Sequence, residues 1–140
     1  MEVFLKILGS QESGYSGNKP NQRGKYVLIP NEVWNLLPHL TTTNLNDFKS
    51  LNIFFSETHH TVVNYVYHNA KFHASLGLKR AHNERRVYRN SDLDNFLNLD
   101  RNVIIILIKL AQKDSFFAIS ILPNSKNYTY FENLVLKYSK

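Results

Sequence analysis

The chain contains no cysteine. This excludes disulfides, thiolate nucleophiles and cysteine-ligated zinc together, and leaves the redox compartment open. Long apolar runs are missing too: the longest, VIIILI at 103–108, falls far short of the ~18 residues that span a bilayer. The first residues, MEVFLKILG, start with an acid and interrupt their apolar run with Lys6, which is not the pattern of a signal peptide. A soluble, cytoplasmic protein with no membrane contact is expected. Glycine is scarce, and four of the five glycines fall in one polar stretch, GSQESGYSGNKPNQRGK at 9–25. Loops of that length in a compact domain are usually functional or mobile. No G-x-S-x-G nucleophile motif, internal repeat or low-complexity segment occurs.

What is present suits one folded domain over residues 1–140, long enough to bury roughly two thirds of its unfolded surface. Acids are outnumbered, 11 against 17 Lys and Arg, for a net charge of +6. The excess is local. KRAHNERRVYR at 79–89 carries five positive charges and one negative, and KPNQRGK at 19–25 carries three positive and none negative. Together they exceed the whole chain's excess, so the remainder is slightly acidic. Two short basic segments on a balanced protein point to a localised electropositive site.

Short β-branched or aromatic runs recur at strand length: VFLKIL (3–8), YVLI (26–29), LNIFF (51–55), TVVNYVYH (61–68), RRVYR (85–89), NVIIILIKL (102–110) and SFFAISIL (115–122). The last two, joined by AQKD, read as a hairpin through the core, its first strand apolar on both faces. Three helical segments are expected: EVWNLLPHL, capped by Asn31 and stopped by Pro38; SDLDNFL at 91–97, capped by Ser91; and the last dozen residues, where Phe131, Leu134, Val135 and Tyr138 recur at helical spacing. A mostly antiparallel barrel or closed sandwich with two or three peripheral helices follows.

Both basic segments hold the side chains that contact nucleic acid. Lys and Arg reach phosphates, while Arg on guanine, Asn or Gln on adenine and Glu on the cytosine amino group match base edges in the major groove. One segment offers Lys19, Asn21, Gln22, Arg23 and Lys25; the other offers Lys79, Arg80, His82, Asn83, Glu84, Arg85, Arg86 and Arg89. Glu84 either reads a base or pairs internally with Arg85 or Arg86. Taken alone, alternating Arg and apolar residues in RRVYR also describe a protected edge strand.

The ordered set of ESGYSG (12–17), Gln22 and Gly24 closing the same loop, YVLIP (26–30), YHNAK (67–71) and NERRVYR (83–89) resembles the N-terminal effector domains of EcoRII-type restriction endonucleases. Those domains share a DNA-binding pseudobarrel with the B-three domains of plant transcription factors. The resemblance implies a mainly β fold, a seven-stranded open pseudobarrel with two or three short peripheral helices. Two arms would grip double-stranded DNA in the major groove, an N-arm from Glu12 to Lys25 and a C-arm from Lys79 to Arg89. By position, Asn83, Glu84, Arg85 and Arg86 fall on the base-reading C-arm, with Arg80, His82 and Arg89 beside them. Tyr15, Ser16, Asn18, Lys19, Gln22, Arg23 and Lys25 fall on the N-arm, and Lys71 of YHNAK joins the contacting set. The module would be noncatalytic, need no cofactor, bind as a monomer to CCWGG or a similar site, and target a covalently linked nuclease domain. GNKPNQRG is longer than the family's N-arm loop and lacks its histidine.

Chemistry within the chain has weaker signals. His59, His60, His68, His73 and His82 cluster in sequence but match no zinc spacing. Asp47, Lys49 and Glu57 contain the residue types of a metal-dependent nuclease. An RNA-binding barrel with stacking aromatics is the other alternative.

Overall fold

A computed structural model of the chain describes residues 2–16, 19–20, 25–69 and 83–138. Seven strands form one mixed sheet that curls into a half-barrel: β1 (Val3–Ile7), β4 (Tyr26–Ile29), β5 (Phe48–Phe54), β6 (His60–His68), β7 (Glu84–Tyr88), β8 (Ile104–Lys109) and β9 (Ser115–Ile121). The order across the sheet is β1-β8-β9-β5-β6-β7-β4. Every neighbouring pair is antiparallel except β5 with β9, where Asn52–Phe54 run parallel to Ser115–Phe117. The expected class is found: mainly β, seven strands, open rather than closed. The remaining strands, β2 (Tyr15–Ser16) and β3 (Lys19–Pro20), form a small antiparallel ribbon inside what the sequence suggested was plain loop.

Alternation along the strands decides which side is filled. Leu51 and Ile53, Val63 and Tyr65, Val27 and Ile29, Ile105 and Leu107, and Phe116 and Ala118 all enter one buried cluster. Side chains two apart on a strand share a face, so these positions define the concave interior. Strand β8 is buried over Ile104–Leu107 on both faces, because helix α2 (Tyr128–Tyr138) lies against the outer side of β1 and β8. The Tyr128 hydroxyl, donating to the Asn102 carbonyl at 2.5 Å, fixes the start of that helix. No helix among the described residues is long and apolar enough to cross a membrane.

Local chemistry explains the ends of the elements. Helix α1 (Ser91–Leu97) is capped by Asn90, not by Ser91: the Asn90 Oδ1 accepts the Leu93 N–H at 2.9 Å. Asn98 then ends the helix in the left-handed conformation, and Asp114 takes a similar one in the β8–β9 turn; both are residue types that tolerate it. The segment after Pro30 is a 3₁₀ helix (Asn31–Leu36) whose entry residue is Pro30, so Asn31 is not its cap. Val33, Trp34 and Leu37 from this turn pack against the core.

The half-barrel's two edges, β1 and β4, are joined by one side chain. Glu12 lies in a single 3₁₀ turn (Gln11–Ser13) that Gly14 closes at φ 81°, a conformation suited to glycine. Its carboxylate accepts the Gly9 N–H at 3.0 Å and the Leu28 N–H of β4 at 2.6 Å. Lys6 of β1 stands 3.4 Å away and supplies the opposite charge. Glu12 is therefore buried for a structural reason: it satisfies an edge amide that no described strand pairs with.

Candidate nucleic-acid interface

Strand β7 carries Arg85 and Arg86, with Arg89 just beyond its end, and it is not an edge. It lies between β6 and β4, with Val87 opposite Val27 on one side and Tyr65 on the other. Val87 marks the inward face. Arg85 and Arg89, each two residues from it, share that face and are 8% and 9% exposed. Both are expected to contact a duplex, and in this structure both are buried. Period-two alternation places them on the buried face with Val87.

Each buried arginine is held differently. The Arg85 guanidinium lies 3.7 Å from the Trp34 ring centroid and 5.4 Å from that of Tyr67, a stack that a flat, weakly hydrated cation suits. Its Nε has no hydrogen-bond partner among the described residues. Arg89 is buried to the tip and stands 3.1 Å, Nε to Oδ1, from Asp94 of α1. Burial lowers the Arg89 pKa and raises that of Asp94, in each case outweighing the attraction of the partner. Lys25, exposed, reaches the other oxygen of Asp94 at 3.6 Å.

The outward face of β7 presents Glu84, Arg86 and Tyr88, flanked in register by Leu28 and Tyr26 of β4 and by Val66 and His68 of β6. Arg86 donates from Nε to Glu84 Oε2 at 2.8 Å, with Nη2 on the same oxygen. Its guanidinium lies 4.1 Å from the Tyr26 ring centroid, and Nη1 donates to the Tyr88 hydroxyl at 3.4 Å. Burial alone would lower the Arg86 pKa, but the bonds to Glu84 and Tyr88 prevail and hold it above its usual value. Of the two roles open to Glu84, an internal pair is thus formed, with Arg86 rather than Arg85.

The two basic segments meet at this part of the sheet. The Arg89 N–H donates to the Lys25 carbonyl at 3.0 Å, extending the β4–β7 ladder. The segment that leads into β4 through Lys25 and the one that becomes β7 therefore flank neighbouring strands. Because β4 and β7 are antiparallel, Lys25 and Arg89 lie at one end of this ladder and Glu84 at the other. Tyr15 of the N-arm lies beneath Arg101, whose guanidinium is 4.0 Å from its ring centroid. Asn83 donates to the Tyr67 hydroxyl at 3.2 Å. Ser16 and Lys19 pair through their backbones in the β2–β3 ribbon. Asn18, Gln22, Arg23, Lys71, Lys79, Arg80 and His82 lie outside the described residues.

Sequence reasoning missed Asp94, Trp34 and Tyr26, which hold Arg89, Arg85 and Arg86 respectively. Their separations along the chain give no local pattern, and only Val87 between two arginines signalled that two of the three turn inward.

The nuclease candidates are not grouped. Asp47 accepts the N–H groups of Thr41 at 2.6 Å and Phe48 at 3.0 Å, and the bond from Thr41 chiefly holds its pKa below the usual carboxylate value. Lys49 is exposed on β5, and Glu57 is exposed in the bend after it. The His59 Nδ1 shares hydrogen bonds with Ser56 and Thr58, and His60 stacks on Phe54. Among the described residues, no three His, Asp or Glu side chains are placed to hold a metal ion. No protein-family model and no curated protein matches the chain.

Proposed function

We propose that this chain binds double-stranded DNA sequence-specifically through the major groove, using its two basic segments as arms on either side of the β4–β7–β6 face. The observation that carries the reading is the Arg89–Lys25 backbone bond, which ties the last residue of one positively charged segment to the last residue of the other on an otherwise slightly acidic protein. Charges so gathered act on one polyanion at once, and each phosphate neutralised releases counterions. Lys25, which is exposed, makes a positioning contact with phosphate. Arg86, already oriented by Glu84, Tyr26 and Tyr88, is the described side chain best prepared to read a base edge.

The resemblance to EcoRII-type effector domains supports a role as the noncatalytic targeting module of a restriction endonuclease. Occupancy here would direct or increase cleavage by a covalently linked nuclease domain, with CCWGG or a similar sequence as the target.

Selection of bound sequences from randomised duplexes tests the reading directly. A short, nearly palindromic consensus is expected. Arg86→Ala should then cost ~1–3 kcal/mol and blur one base pair, while Lys25→Ala should weaken all sequences alike and reduce the salt slope by about one unit. Recovery of no consensus, or preference for single-stranded RNA over duplex, would overturn it. Specific duplex cleavage with Mg²⁺ that Asp47→Ala abolishes would replace it with the nuclease reading.

A further inference from the structure

One concavity, away from the β4–β7 face, has the opposite chemistry. It opens where the bend after β5 meets α1, has a volume of about 490 Å³, and is lined by Phe55, His59, His60, Asp92, Asn95 and Phe96. Phe96 is 51% exposed even though its ring stacks on Phe55, centroids 4.7 Å apart and planes 16° from parallel. The exposure therefore belongs to the other face and edge of the ring. The His59 ring stands 6.0 Å away at a 32° tilt. Asp92 is held in place by a relay: Asn90 Nδ2 donates to Thr61 Oγ1 at 2.8 Å, and that hydroxyl donates to Asp92 Oδ2 at 3.3 Å. No Lys or Arg is among the described residues lining the concavity, although the chain has seventeen, and exposed Glu57 lies in the same bend.

We propose that this ledge docks an arginine side chain presented by a protein partner, its guanidinium lying on Phe96 and its N–H groups donating to Asp92 and Asn95. Three features select that occupant. An open ring face attracts a cation, and a guanidinium stacks there more readily than a strongly hydrated ammonium. Its fixed fork of donors matches a carboxylate beside an amide oxygen. The local charge is negative, which attracts a basic partner and repels a phosphate backbone. The same pairing recurs inside this molecule, where Arg85, Arg86 and Arg101 stack on Trp34, Tyr26 and Tyr15. The proposal is independent of duplex binding, since none of the residues lining the concavity is among those assigned to the duplex.

The test is an amide NMR titration of the full chain with N-acetyl-arginine amide, the same compound made with citrulline, and deoxyadenosine monophosphate. With arginine, at about 50 mM because a single exposed contact is weak, shifts should concentrate at residues 55–60 and 91–97. Citrulline keeps the flat side chain without its charge. It should give shifts at least about threefold smaller, as should arginine added to Asp92→Asn or Phe96→Ala. Phe96→Leu serves if Phe96→Ala does not fold. Equal shifts with citrulline, larger shifts there with the nucleotide, or no localised response to arginine would each overturn the assignment. Duplex affinity of Asp92→Asn, measured alongside, should stay unchanged, so failure here is distinguishable from failure of the DNA reading.

Discussion

Arg85, Arg86 and Arg89 lie within five residues, yet each is held by a different kind of partner: an aromatic sandwich, an adjacent carboxylate with a tyrosine, and a carboxylate on another element. Their substitutions should therefore behave differently. For Arg86 and Glu84, partly exposed and hydrogen-bonded, a double-mutant cycle of Glu84→Ala and Arg86→Ala in urea unfolding should return about 1 kcal/mol of coupling. Additive losses would show that the bond contributes no stability. The Arg89–Asp94 pair is a separate case, because burial costs both charges more than their attraction returns. Replacing both with apolar residues of similar size, Arg89→Met with Asp94→Leu, should leave stability unchanged or raise it by ~1–4 kcal/mol. The pH dependence has a definite sign. Burial raises the Asp94 pKa in the folded state, so the folded chain holds that proton more tightly than the unfolded chain does. Asp94's contribution to stability is then greatest at acid pH and falls as pH rises from the ordinary carboxylate value through the raised one. The double variant should lack that component in a pH series of urea midpoints. RRVYR already had the alternation that turns Arg85 and Arg89 inward with Val87; its charge drew attention away from its period. Their partners, Trp34 and Asp94, could be found only once the topology was known.

Among the elements, α1 is both capped and cross-linked to β6 by one side chain. Asn90 caps it through Leu93 and also ties it to β6, its Nδ2 donating to Thr61 Oγ1 and to the Val62 carbonyl at 3.1 Å. Asn90→Ala should cost about 2 kcal/mol in urea unfolding, one part for the cap and another for the lost cross-links, while Ser91→Ala should cost close to nothing. Asn90→Asp should restore the cap alone and recover roughly half. Strands and helices were legible from runs of β-branched residues and helical spacing, because burial on one or both faces dictates those patterns. Caps were displaced by one residue, since Asn90–Ser91 and Pro30–Asn31 each offer two neighbouring candidates and backbone geometry chooses between them. The β2–β3 ribbon was not legible: two residues per strand give too little alternation to detect.

At the scale of the whole molecule, strand order separates neighbours in space from neighbours in sequence. Among the described residues β1 pairs only with β8, and β5 reaches β9 across some sixty residues, in parallel. The parallel pairing was invisible in the sequence, whose runs gave one hairpin and a mostly antiparallel barrel, because partners so far apart leave no local pattern. Contacts so remote make refolding slow, on the order of milliseconds to seconds, and stopped-flow Trp34 fluorescence should fall in that range rather than in microseconds. The order also has a consequence during synthesis. The first strand made, Val3–Ile7, has no ladder to join until Ile104–Ile108 has emerged. A nascent chain halted before that point carries an apolar ribbon with both margins bare, and guarding it from other chains until its mate arrives falls to the cell.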